Sequence, residues 1–180
     1  MKVIGFVGLP GSGKSEVLNA IKNLGVIITM GDVVRNEARE RNIDPSDENL
    51  GKIAQDLREA FGPEIIAEKC EKLIRNLDAN VIFIDGLRSN AEVKVFRKSW
   101  KFPVIAVVID DKTRFERLSK RGRPDDPNTL EDLRERDLRE ISFGLKEVID
   151  TANYKIDNTD PKIVVQKKIR ELVLNIICNY

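Results

Sequence analysis

The chain has 180 residues, enough for one ordinary domain with a real core, and its 41% hydrophobic and 34% charged residues mark it as globular rather than disordered. With 31 Lys and Arg against 30 Asp and Glu, a net charge of +1 gives no overall attraction to nucleic acid, so any anion site must be local. The sequence holds no histidine, which excludes histidine acid–base chemistry, Ser-His-Asp triads and His-rich metal sites.

No apolar stretch approaches membrane length, and Met1-Lys2 leads directly into an apolar run. A cytoplasmic protein with no membrane partner is therefore expected. Cys70 and Cys178 lack metal-like spacing and read as reduced, core-filling residues.

In chain order, the first strand is expected at 3–7 (VIGFV). It is followed by GLPGSGKS, which matches G-x-x-x-x-G-K-[ST] at Gly8, Gly13, Lys14 and Ser15. A chain of this length meets that pattern by chance on the order of once in a hundred cases. The glycines, Gly11 included, let successive N–H groups point inward around an anion, and a helix opening near Lys14 adds its positive dipole end. Lys14 is placed for β- and γ-phosphates, and the Ser15 hydroxyl for Mg²⁺.

A second strand is expected at 26–30. A helix then starts at Asp44-Pro45, with Leu50, Ile53, Ala54 and Leu57 on one face. The third strand, 81–85 (VIFID), ends on Asp85. In an open α/β sheet that position lies beside the phosphate loop, where Asp85 can hold the Mg²⁺ shell. Gly86 turns the backbone close to a ligand, and Arg88 brings a fork that suits phosphate. Ser89 with Glu92 fits a capping box, as does Thr129 with Asp132. The fourth strand is expected at 104–109, a broken basic stretch at 119–128, the fifth strand at 154–157, and a last helix from Asp160-Pro161. Three strands are apolar nearly throughout, as parallel strands covered on both faces are. The alternation predicts an α/β domain. Phe61, Phe143, Trp100, Phe96 and Phe102 read first as packing residues.

With these residues in view, the chain resembles the P-loop nucleoside monophosphate kinases, above all adenylate kinase, with dephospho-coenzyme A kinase a close relative. It is nearest to a group of archaeal adenylate kinase-related proteins of unassigned role. The resemblance rests on Pro10 inside the glycine loop, on Asp32 and Arg35 of GDVVR after the second strand, and on DGLR ending the third. It extends to Arg117, Arg121 and Arg123 after the fourth strand and to DNTD at 157–160. DGLR is one residue tighter than the adenylate kinase motif and lacks its proline, and without cysteines the lid is not braced by zinc.

The resemblance implies a three-layer P-loop NTPase fold: a five-stranded, mostly parallel sheet with helices on both faces, a helical acceptor region at about 31–62 and a short lid at about 119–128, all in one domain over 1–180. It implies ATP with Mg²⁺ as donor, held by Gly8, Pro10, Gly11, Ser12, Gly13, Lys14, Ser15, Arg117 and Asn158, with Ser15 and Asp85 on the metal. The acceptor, AMP above all, falls to Asp32, Arg35, Phe61, Gly86 and Arg88. A further arginine is expected from Arg134, Arg136 and Arg139, and Arg136 is assigned to the substrate. Lys14, Arg88, Arg121 and Arg123 are the expected catalytic residues. Arg35 and Arg88 show no obvious carboxylate partner in the sequence. Two alternatives stay open: phosphorylation of dephospho-coenzyme A, a hydroxyl acceptor for which Asp32 would be the base, and a nucleotide-dependent switch or RNA-associated ATPase. The oligomeric state is left open.

Overall fold

Five runs of β-branched and aromatic residues form one sheet in the computed structural model, which describes residues 1–121, 127 and 129–179. They are β1 (Lys2–Val7), β2 (Val26–Thr29), β3 (Val81–Asp85), β4 (Val104–Val108) and β5 (Tyr154–Asp157). The order is β2-β3-β1-β4-β5, and every neighbouring pair is parallel. The central strands β3, β1 and β4 are buried along nearly their whole length, as their continuous apolar sequence requires. The β2 sequence is equally apolar, yet β2 is an edge strand, with Val26 43% and Ile27 36% exposed. Met30, expected to end that strand, instead begins a helix.

The period-two alternation of each strand assigns its side chains to two cores. Val3 and Val7 of β1, Ile82 and Ile84 of β3, and Val104 and Ala106 of β4 face one side. There they meet α2 (Met30–Glu40), α3 (Asp47–Phe61), α4 (Ile65–Arg75), α5 (Asn90–Ser99) and α8 (Leu145–Asp150). Ile4, Phe6, Phe83, Ile105 and Val107 face the other side, against α1 (Lys14–Ile21) and α9 (Lys162–Asn179). Phe6 and Phe83 meet edge-to-face at 5.8 Å, and Phe96 stacks on Phe102 at 4.8 Å. The remaining helices, α6 (Asp111–Arg121) and α7 (Leu130–Ser142), bracket the expected lid. Residues 119–121 of that lid continue α6; 122–126 and 128, with Arg123, lie outside the described residues, as does the Arg121 side chain.

Side chains cap the starts of α3, α5 and α7, with two corrections to the expected pattern. The Thr129–Asp132 capping box is complete. The α3 cap is Ser46, whose Oγ accepts from the Asn49 N–H, and not Asp44; the helix opens later than the Asp44-Pro45 pair implied. Ser89 caps α5 as expected, but Glu92 does not reach back to Ser89. Its carboxylate is drawn away by two other donors: Oε1 accepts from Arg58 Nη2 at 3.0 Å and Oε2 from the Arg88 N–H at 2.7 Å. Cys70 fills the core, where burial, aided by Glu92 and Asp32, pushes its thiol up to about 12. Cys178 is exposed on α9 and fills no core. Phe61, expected in the core or in a base pocket, is 66% exposed at the end of α3.

Glu92 is 0% exposed and ties α3 and α5 to the turn after β3. Replacing it with alanine strands the Arg58 guanidinium, which also packs 5.1 Å over the Phe143 ring, and the Arg88 N–H. Glu92→Ala should cost about 3–5 kcal/mol of unfolding free energy in urea; a loss below about 1 kcal/mol would contradict the buried tie.

Candidate functional site

Because all five strands run parallel, their carboxyl ends share one edge of the sheet. Chain order reverses across β1, with β3 on one side and β4 on the other, and that reversal opens a crevice. The loop after β1 fills the crevice and passes into α1 at Gly13. Gly13 has φ +88°, and a Cβ there would collide with Asn158 Nδ2 and lie 3.0 Å from Arg117 Nη1. A Cβ on Gly8 would sit 2.5 Å from the Val107 carbonyl oxygen and 2.7 Å from Ser12 Oγ. The loop can take this path only with glycine at these two positions.

Side chains, all but one from outside the loop, hold it in shape. Asn158, buried after β5, donates to the Ser12 carbonyl at 2.8 Å. Arg117 Nη2 donates to the Asn158 carbonyl at 3.0 Å. Arg114 Nη1 donates to the Pro10 carbonyl at 3.0 Å. Lys14 folds over the loop and donates to the Gly8 carbonyl at 2.7 Å.

The loop opens on a cavity of about 370 Å³, lined by Gly8, Pro10, Gly11, Ser12, Gly13, Lys14 and Ser15 together with Gly86, Arg88, Arg117, Arg136 and Glu140. The structure thus brings together most of the residues expected to hold the donor, with Arg88 and Arg136 beside them. Arg134 and Arg139 are not among the lining residues. Asp85 ends β3 and acts on Lys14 electrostatically. Asp32 and Arg35 do not line the cavity; Asp32, on the first turn of α2, pairs with Arg35 one turn later and lies near enough to act on Asp85. Phe61 lies away from it.

The expectation that Arg35 and Arg88 lack carboxylate partners is corrected. Arg35 is bound to Asp32, and Arg88 Nε pairs with Glu140 Oε2 at 3.1 Å. Glu140, Arg114 and Asp137 are the charged residues that sequence reasoning missed, while Glu92 was expected only as a cap. For Arg114 a signal existed: it stands three residues before Arg117, on the same helix face. Grouping Arg117 with Arg121 and Arg123 by chain order, without sorting the helix by face, passes over it.

Burial lowers the Lys14 pKa from its ordinary 10.5, opposed by the nearby charges of Asp85 and Glu140 and reinforced by Arg88 and Arg114. Burial raises the Asp85 pKa, opposed by Lys14 and the Gly86 N–H. Three buried polar atoms at this edge, Ser12 Oγ, Asp85 Oδ1 and Arg117 Nη1, have no hydrogen-bond partner among the described residues. A crevice of backbone amides, a lysine, arginines and an unsatisfied carboxylate oxygen fits a phosphate ligand accompanied by a divalent cation.

An all-parallel sheet in this order, with a Gly-rich loop opening its first helix, has the architecture of P-loop kinases. Residues 4–140 match the AAA domain family, and the chain belongs to it. It is also 41% identical over 178 residues to a UPF0200 protein of Methanosarcina mazei, covering 97% of this chain and 95% of that one, and it belongs to the UPF0200 family. A UPF0200/UPF0201 protein of Archaeoglobus fulgidus is 44% identical over 184 residues; this chain spans 57% of its length. Among solved structures, shikimate kinase from Bacteroides thetaiotaomicron superposes with a TM-score of 0.64 at 15% identity, over 96% of this chain and 98% of that one. A sugar kinase from a Janibacter species gives 0.55 at 16% identity, over 98% and 95%. At such identities the likeness is one of fold. Among the described residues no helix is long and apolar enough to cross a membrane.

A Lys14 ammonium penalised by burial has a pH signature. Its folded pKa lies below the unfolded value, so at this group the unfolded chain holds more protons, and the contribution of Lys14 to stability rises as pH climbs toward 10.5. Lys14→Met removes that group. The stability of the wild type relative to Lys14→Met should therefore increase from neutral pH up to 10.5 in urea titrations; a flat or falling difference would contradict the burial penalty.

Proposed function

We propose that the protein is a P-loop phosphotransferase that moves the γ-phosphoryl group of ATP to a nucleoside monophosphate, AMP first among them. The observation that carries this reading is the convergence of the 8–15 loop with Arg88, Arg117 and Arg136 on one cavity. Phosphoryl transfer asks for alignment and neutralisation of charge more than for covalent help. The loop amides and Lys14 bind the β- and γ-phosphates, and Lys14 exchanges the Gly8 carbonyl for phosphate oxygen as it does so. Ser15 and Asp85 would hold Mg²⁺, which when bound neutralises phosphate charge; the unpartnered Asp85 Oδ1 supports that assignment. Arg117, with its free Nη1, faces the donor side.

Arg35 and Arg88 hold the acceptor phosphate, with its base toward the helices of 31–62. Each must first leave its own carboxylate, Asp32 or Glu140. A phosphate acceptor is ionised at neutral pH, so transfer to it requires no general base, and a chain without histidine is suited to it. A cytoplasmic location, where both nucleotides are available, belongs to the same reading.

Each arginine contributes charge-assisted hydrogen bonds, so Arg35→Ala and Arg88→Ala should weaken AMP binding roughly 10- to 150-fold, with Arg35 at the lower end because it is more exposed. ATP affinity should change little. Calorimetric titration of both variants with each nucleotide checks this. A wild type that fails to bind AMP at millimolar concentration would end the acceptor assignment and move dephospho-coenzyme A to the front.

A further inference from the structure

Arg114 heads the fully buried side chains of the protein, at 1% exposed. Such burial is unusual for an arginine and demands partners. They come from three segments: Nη1 donates to the Pro10 carbonyl at 3.0 Å and to Asp137 Oδ1 at 2.9 Å, while Nη2 donates to Asp111 Oδ1 at 2.8 Å and to Asp137 Oδ2. One planar fork therefore joins the phosphate loop, the start of α6 and the middle of α7. Its Nε is buried with no partner among the described residues, so the arrangement does not maximise stability.

Asp137 is followed one turn later on α7 by Glu140 and preceded directly by Arg136, and both of those line the cavity. Leu118, one turn after Arg114, packs so near Gly11 that a Cβ there would lie 2.9 Å away. The face of α6 that carries Arg114, Arg117 and Leu118 is thus the wall on which the loop rests.

We propose that Arg114, held by Asp137, is a positioning residue. It fixes the Pro10 carbonyl outward, so that the following loop amides face the phosphate site, and it sets α7, with Arg136 and Glu140, against that loop. It touches no substrate. The proposal rests on the reading that the loop binds the phosphates of ATP. A lysine cannot replace it, because a single ammonium lacks the fork that reaches the Pro10 carbonyl, Asp111 and both oxygens of Asp137.

A merely stabilising ion pair and a positioning one are separated by removing both charges. Buried pairs replaced by apolar residues of similar size are often as stable as the original or more so. The variant Arg114→Met with Asp137→Leu should therefore unfold in urea no earlier than wild type. Amides of the 8–15 loop should nonetheless exchange hydrogen faster in the ligand-free variant, and its ATP dissociation constant should rise about tenfold or more. Arg114→Lys should show the same faster exchange and weaker ATP binding. Wild-type loop exchange together with wild-type ATP affinity in the folded double variant would overturn the proposal, as would full rescue by lysine. Should the double variant not fold, Asp137→Asn, which keeps one acceptor oxygen, takes its place, and unchanged loop exchange there overturns the proposal. A wild type that binds no ATP defeats the phosphotransferase reading instead, and the ligand-free exchange still decides the role of Arg114.

Discussion

A glycine-rich loop has little conformational preference of its own, and the candidate site depends on holding one still. Within the 8–15 segment, the Ser12 N–H reaches the Leu9 carbonyl at 3.1 Å and Lys14 reaches Gly8, while the other side-chain ties come from far along the chain. Asn158 grips the Ser12 carbonyl across 146 residues of sequence, and Arg114 grips Pro10 across 104. The parallel sheet makes both contacts possible. It places the ends of β1, β4 and β5 side by side, with the Asn158 N–H bonded to the Val108 carbonyl at 2.9 Å. Fold and site are thus one constraint: closing the sheet brings the residues that shape the loop, and the loop's glycines leave room for them.

The same edge manages its own charge. Lys14, Arg88, Arg117 and Arg136 crowd a small cavity, and like charges at such range repel. Glu140 answers on Arg88, Asp85 and Glu140 answer on Lys14, and Asp32 answers on Arg35. These carboxylates stand where an anion would otherwise be needed. On the proposed reading an acceptor phosphate must compete with them, so a weak or singly charged anion would be a poor rival for either arginine. Such a competition would discriminate by charge before any base is recognised.

The fold was legible in the sequence because its signals are local and periodic. Runs such as VIFID can only be covered on both faces, GLPGSGKS can only be a turn of special backbone, and Thr129 with Asp132 caps a helix through neighbours three residues apart. The loop half of the site was legible for the same reason. The other half was not, because Arg114–Asp137, Arg88–Glu140 and Arg58–Glu92 join residues 23, 52 and 34 positions apart, and no local pattern announces such pairs. The Ser89–Glu92 box shows how one misleads: its spacing was right, but the carboxylate had a better partner in Arg58. Asp44 failed as a cap because Ser46, two residues on, supplied the oxygen that reached the helix.

The central claim is transfer of a phosphoryl group between two bound nucleotides, and phosphorus NMR observes it without a coupling enzyme. ATP, AMP and Mg²⁺ incubated with the protein should lose ATP and AMP together and gain two ADP for each pair consumed. Inorganic phosphate should not accumulate, and Lys14→Ala should abolish the exchange. Release of inorganic phosphate at the same rate with and without AMP, and no ADP formed from AMP, would contradict the account.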